Sequence, residues 1–134
     1  MQPYTFHPAY FQVVFDTHGF DGPWPDRFAI ITAWATTGET WTAQKSIQAN
    51  AALNWELIAR GVWHTRCTGL SPDGQHAEPG WAVAIDRDSA CELGHRFHQD
   101  AVFLVNSDRL EVCRCSPPGE VADAGSFASR ILPT

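Results

Sequence analysis

The stretch Phe28-Ala29-Ile30-Ile31-Thr32-Ala33-Trp34 is an almost unbroken apolar run, as expected of a central strand. The next segment, Thr42 to Arg60, predicts a helix. Thr42 can cap its N-terminus, and Gly61 can occupy the left-handed position after its end. At ~100° per residue, Ala43, Ile47, Ala51, Leu53, Leu57 and Ile58 share one face, with Lys45, Glu56 and Arg60 opposite. Asn50 and Asn54 fall inside the apolar face, one turn apart. Val62 to Thr68 predicts a strand, Gly69 to Gly80 a Gly/Pro/Asp-rich loop, and Trp81 to Ile85 a strand again. Asp86 or Asp88 can cap a short helix reaching about His98, with Ala90, Leu93 and Phe97 toward the core. Gly94 weakens that helix by ~1 kcal/mol relative to Ala and suits a close approach to the sheet. Ala101 to Val105 is a buried strand, turning through Asn106 to Arg109 into Leu110 to Arg114.

From Phe28 to Asn106 the order is therefore strand, helix, strand, strand, helix, strand. That order predicts an α+β fold, a ferredoxin-like split β-α-β sandwich. The sheet is expected to be mostly antiparallel, with Phe28 to Trp34 beside Trp81 to Ile85 and both helices on one face. Tyr10 to Asp16 adds an N-terminal strand, followed by a loop with Gly19, Gly22, Pro23 and Pro25. Leu110 to Arg114 adds a C-terminal hairpin strand. Residues 1–134 read as a single domain with its core over 10–115, and 116–134, rich in Pro, Gly and Ser, as a loosely held C-terminal tail.

Composition narrows the partners. A length of 134 residues fits one domain, and 44% hydrophobic with 18% charged residues is a globular composition. The net charge of −6 and scattered Lys and Arg exclude a nucleic-acid backbone or an anionic membrane as the main partner. No apolar stretch approaches the ~20 residues of a membrane span, and Met1 to Tyr10 lacks the pattern of a signal peptide. Cys67, Cys91, Cys113 and Cys115 match no zinc or redox spacing, so reduced thiols in a cytoplasm are expected.

In a split β-α-β sandwich three connections share one edge: here Trp34 to Thr42, Gly69 to Gly80, and His98 to Asp100. They carry Thr32, Trp34, Thr36, Thr37, Glu39, Trp41, His76, Glu78, Trp81, His98 and Gln99. Carboxylates, imidazoles, hydroxyls, an amide and indoles at one edge suit a polar, planar small molecule or general acid/base chemistry.

Four stretches also carry a family resemblance. Ile31-Thr32-Ala33-Trp34, Asn50, Glu78-Pro79-Gly80-Trp81 and His98-Gln99-Asp100-Ala101 resemble motifs of the bacterial domain of unknown function 3293 family. The resemblance runs from about Phe28 to Phe103. Ala35-Thr36 replaces the family's usual Asn-Pro, and His98 its usual Gly. The resemblance implies the domain and no established activity.

Each signal has a plainer alternative. Asn50 either pins the backbone near Thr32 to Trp34 or contacts a ligand. Glu78 is either a general base in a pocket that raises its pKa, or a solvated loop carboxylate or a partner for Arg66. Cys91, His95 and His98 lie on one helix flank with His76 as a further ligand candidate, yet such residues more often form a wet flank, and no metal is assigned. Trp55 and Trp63 read as packing groups, Trp41 as a stacking platform. No nucleophile signature and no phosphate-binding loop is present, so no cofactor is implied.

The resulting expectation is a small-molecule binding domain with Thr32, Trp34, Asn50, Glu78, Trp81 and Gln99 at the site. The first alternative is an enzyme using Glu78 as base with His76 or His98 as acid. The second is an interaction module that pairs two copies through an open sheet face.

Overall fold

A computed structural model describes residues 4–35 and 40–133. The fold is α+β, with two α-helices and mostly antiparallel sheets among these residues. The apolar run becomes β2 (Arg27–Thr32). It lies between β6 (Gly80–Val83) and β7 (Ala101–Asn106), antiparallel to both, with Ala29 opposite Val83 on one side and Leu104 on the other. β3 (His64–Arg66) flanks β6, and β8 (Arg109–Arg114) and β9 (Val121–Ser126) extend the far side. The six strands run in the order β3-β6-β2-β7-β8-β9.

Both helices start as their caps require. In α1 (Ala43–Arg60) the Thr42 side chain accepts the Lys45 N–H at 3.0 Å, and Gly61 closes the end at φ 66°. In α2 (Arg87–Arg96) Asp86 accepts the Ser89 N–H at 2.7 Å. Alternation along β2 divides the core. Ala29, Ile31 and Ala33 pack with Leu53 and Leu57 of α1, Ala90 and Leu93 of α2, Val83 and Val102. Phe28 and Ile30 pack the other way, against Phe15, Cys67, Val105 and Phe127. Gly94 permits the close seating of α2: a Cβ there would lie 2.7 Å from Cys115 Sγ and 2.8 Å from Val102 Cγ1.

The second face is not open. A smaller sheet of β1 (Val14–Asp16), β4 (Thr68–Leu70) and β5 (Ala77–Glu78) belongs to the layer that covers it, in the order β1-β4-β5. Trp24 and Phe127 seal the same layer, with Trp24 stacked on Phe28 at 5.2 Å between ring centroids. The surface on which two copies were expected to pair is therefore occupied within the chain.

Three further expectations change. The Gly69 to Gly80 segment is a loop only at its tip, because its ends form β4 and β5. The N-terminal strand is shorter than expected, since Pro8–Phe11 is a 3-10 turn before β1. The segment after Ser116 is no loose tail. It contributes β9, paired with β8 from Arg109↔Ser126 to Cys113↔Val121, and then the buried ring of Phe127.

The helix seam also differs from the sequence pattern. α1 buries Ser46, Leu53 and Leu57, while Ile47, Ile58 and Trp55 stay 59%, 51% and 70% exposed. At ~100° per residue Ser46, Asn50, Leu53 and Leu57 form one narrow line. Ile47 and Ile58 sit beside that line and Trp55 opposite it. Phe97, expected in the core, is only partly buried as the residue that caps α2.

Leu57→Ala should therefore lower unfolding free energy by ~2–5 kcal/mol in urea melts, whereas Trp55→Ala should change it by ~0.5 kcal/mol or less. Equal losses at the two positions would mean that α1 sits on the sheet through a different face.

The candidate site lies between the two sheets

One hairpin builds part of both sheets. β3 and β6 pair in the large sheet, with Arg66 opposite Trp81. Past Cys67 and Pro79 the same two segments continue as β4 and β5 in the small sheet, with Gly69 opposite Glu78. The Cys67 N–H donates to the Gly80 carbonyl at 2.9 Å where the hairpin bends. A Cβ at Gly80 would lie 2.6 Å from the Ile31 carbonyl oxygen, so only glycine allows this corner to press onto β2. Strands that switch sheets at such bends place side chains between the layers. Glu78 is one of them.

A cavity of about 300 Å³ lies there. Ile30 and Phe103 line it from the large sheet, Phe15 from the small one, and Tyr4 and Tyr10 from the N-terminal segment. Its polar lining includes Thr32, Glu78, Gln99 and Asp100. The aromatic wall is a mutually packed set, with Phe103 5.9 Å from Tyr10 and 5.3 Å from Phe15 between ring centroids. A smaller recess of about 90 Å³, lined by His76, Pro72 and Gln12, shares Glu78 with the main cavity.

Gln99 organises the floor. Its carbonyl oxygen accepts the Thr32 hydroxyl at 2.8 Å, and its amide donates to the carbonyls of Trp34 at 2.9 Å and Phe97 at 3.1 Å. The side chain is thus largely satisfied and buried, tying the end of β2 to the turn before β7. That turn places His98 at φ 62°, the left-handed conformation that glycine adopts most easily.

Glu78 and Tyr10 have shifted acidities. Burial lifts the Glu78 carboxyl above its ordinary range, opposed by the His76 imidazole, whose Nε2 lies 3.4 Å from Oε2. Burial, then the charges of Asp100 and Glu78, push the Tyr10 phenol upward, so it stays a neutral hydrogen-bond donor at physiological pH.

Of the residues named from the sequence, Thr32, Glu78 and Gln99 line one cavity, and Trp34 joins them through its carbonyl. Asn50 and Trp81 do not. Trp81 is paired with Ile31 and shares its face, where the indole N–H donates to Asn50 Oδ1 at 3.0 Å on the helix side of the sheet. This bond supplies the partner that a polar residue in the helix seam needs. Glu78 pairs with His76 rather than with Arg66. His76 flanks Glu78 from a mostly exposed position, and His98 is exposed and lines neither cavity. Lys45 Nζ sits 4.3 Å over the Trp41 ring. Thr36, Thr37 and Glu39 lie outside the described residues.

Among the described residues no group of three or more His, Cys, Asp or Glu is arranged to hold a metal ion. Cys91, one of the candidate ligands, has its sulfur 3.5 Å from that of Cys113. All four cysteines are free. No helix among the described residues is long and apolar enough to cross a membrane.

Sequence reasoning missed Tyr4, Tyr10, Phe15, Asp100 and Phe103. A usable signal was the aromatic density of the N-terminal segment, with Tyr4, Phe6, Tyr10, Phe11 and Phe15 in close succession.

The model of a family described as a protein of unknown function (DUF3293) matches residues 31–102, and the chain belongs to that family. No curated protein and no solved structure matches the chain. The matched span holds Thr32, Glu78, Gln99 and Asp100, while Tyr4, Tyr10 and Phe15 lie outside it.

Gln99→Leu should destabilise the fold by ~1–3 kcal/mol in urea melts, because it strands the Thr32 hydroxyl and two carbonyls. A loss well below that range would show that water or a rearranged turn replaces the amide.

Glu78 carries a pH signature. Its folded-state pKa is raised, so its favourable contribution is complete below the ordinary carboxyl pKa and is lost as pH rises through the raised value. Stability melts of Glu78→Gln and the parent should diverge in the variant's favour as pH rises above the ordinary carboxyl value of about 4.3. A flat difference would place Glu78 in open solvent, and one that moves the other way would mean that its pairing with His76 outweighs its burial.

Proposed function

We propose that the chain binds a small polar molecule in the cavity between its two sheets. On this reading β2, α1, β3, β6, α2 and β7 form a ferredoxin-like split β-α-β core, and the bent hairpin and N-terminal segment close a ligand site over its free face. The observation that carries the proposal is the cavity itself. About 300 Å³ of space is bounded by aromatic rings and polar groups from sequence-distant segments. That size is at the lower end of small-molecule sites, which are mostly apolar with a few converging polar groups. Gln99 fixes the floor, Thr32, Glu78 and Tyr10 offer polar contacts, and Asn50 and Trp81 belong to the scaffold.

The experiment is a thermal-shift screen of metabolites and nucleotides on the full chain. A ligand present at 100 times its Kd stabilises by ~2.7 kcal/mol, a shift of several degrees. At least one compound should raise Tm, and Ala101→Leu, which fills the cavity, should abolish that response while keeping a cooperative melt. Compounds that stabilise Ala101→Leu and the parent equally, or a complete lack of response, would remove the cavity as a ligand site.

A catalytic reading draws on one further observation, the Glu78–His76 pair beside the cavity. A carboxylate with a raised pKa is a stronger base at neutral pH. Turnover of a stabilising compound, lost in Glu78→Gln with binding retained, would select this alternative.

A further inference from the structure

We infer that the ligand of this cavity carries a protonated nitrogen on an aromatic or apolar body, with the cation held by Glu78 and Asp100. The inference rests on the cavity being the ligand site and adds the chemical class of what enters it.

Charge gives the first argument. Glu78 and Asp100 line the cavity, and no Lys or Arg does so among the described residues. The one other ionisable group of basic type in the lining is His7, whose Nδ1 is occupied by the Ala9 N–H at 3.0 Å. Arg114, whose guanidinium lies 4.2 Å over the Tyr4 ring, is outside the lining and already paired with Glu120, so a carboxylate or phosphate ligand would meet two like charges first. A cation meets two opposite ones.

The second argument is the state of Glu78. Its neighbour His76 lies in the adjoining recess and is 56% exposed, so it leaves the cavity side of the carboxylate uncompensated. A carboxylate at an apolar wall is costly unless paired, and an ammonium group entering from the cavity supplies that pair. Glu78, Asp100 and Tyr10 line the same cavity, and after burial the charges of both carboxylates raise the Tyr10 phenol.

The walls supply the third argument. Tyr10, Phe15 and Phe103 present an aromatic surface beside the carboxylates. Rings favour cations over their faces and apolar bodies against them. An amine, amidine or similar cation on a short aromatic or alkyl frame matches both features within about 300 Å³.

The test is an NMR titration of the full chain with matched triples, in which one frame carries an amine, an alcohol or a carboxylate. Phenethylamine, 2-phenylethanol and 3-phenylpropanoate form one such triple. The amines should shift the amides of Ala101 and Phe103 with an apparent Kd at least roughly tenfold below the alcohols, and the carboxylates should not bind. Added salt should weaken the amines alone. Glu78→Gln should erase most of the preference, and Asp100→Asn, at an exposed position that spares the fold, the remainder. Alcohols binding as well as amines, carboxylates binding best, or a preference unchanged in both variants would overturn the cationic class while leaving the cavity as a site. Failure of every triple to perturb the cavity amides would overturn the cavity reading and this inference together.

Discussion

Everything distinctive about this structure depends on one steric constraint, the absence of a side chain at Gly80. The glycine presses against the Ile31 carbonyl and Thr32, and its own carbonyl receives the Cys67 N–H. Pro79 follows the bend on the β5 side and brings no N–H to either ladder. A hairpin that continued straight would extend the large sheet into solvent and remove the small sheet from over Ile30, leaving Trp24 and Phe127 to cover Phe28 alone. Bent at this corner, it instead begins a second layer, which β1 completes by pairing with β4. Coverage of the free face and delivery of Glu78 to the cavity that Thr32 also lines are two results of the same turn.

The bend also explains why the fold was legible in the sequence only to a certain depth. The α+β order could be read because its signals are local: an apolar run for β2, Thr42 and Gly61 around α1, Asp86 before α2. Of the small sheet only β1 fell within an expected strand, Tyr10 to Asp16; β4 and β5 are three and two residues long and too short to show a period. β9, with the sequence Val-Ala-Asp-Ala-Gly-Ser, carries no apolar run either, and it is held by its ladder to β8 and by Phe127. The seam of α1 misled in the opposite direction. Three of its large apolar residues, Ile47, Trp55 and Ile58, face outward, and polar Ser46 and Asn50 join Leu53 and Leu57 toward the sheet. A polar residue in the seam is tolerated because Trp81 supplies its hydrogen bond.

The candidate site was legible where it followed from topology and not where it depended on strand parity. Three connections at one edge bring Thr32, Glu78 and Gln99 together once the element order is known. Trp81 lies at the same edge but registers with Ile31, not Thr32, and so points to the helices. One step of register along a strand decides which layer a side chain enters. His98 shows a related effect. The turn before β7 turns Gln99 inward, leaves Asp100 at the cavity, and holds His98 in a left-handed conformation on the surface.

Within the cavity, hydrogen-bond satisfaction separates scaffold from candidate contact. Gln99 is buried and makes three hydrogen bonds, so little of its capacity remains for a ligand. Glu78 has one imidazole neighbour on the recess side, and Tyr10 keeps its proton because burial and two carboxylates oppose its loss. The groups with capacity to spare are therefore not the most buried ones. They also come from two sources: the carboxylates from the span that defines the family, and the aromatic wall of Tyr4, Tyr10 and Phe15 from residues before it. On the proposed reading, the charge that selects a ligand and the surface that fits its body are set by separate parts of the chain. Tyr4 and Tyr10 precede β1, so that part of the wall can change without touching the corner at Gly80 or the floor held by Gln99, whereas Phe15 is fixed by the core.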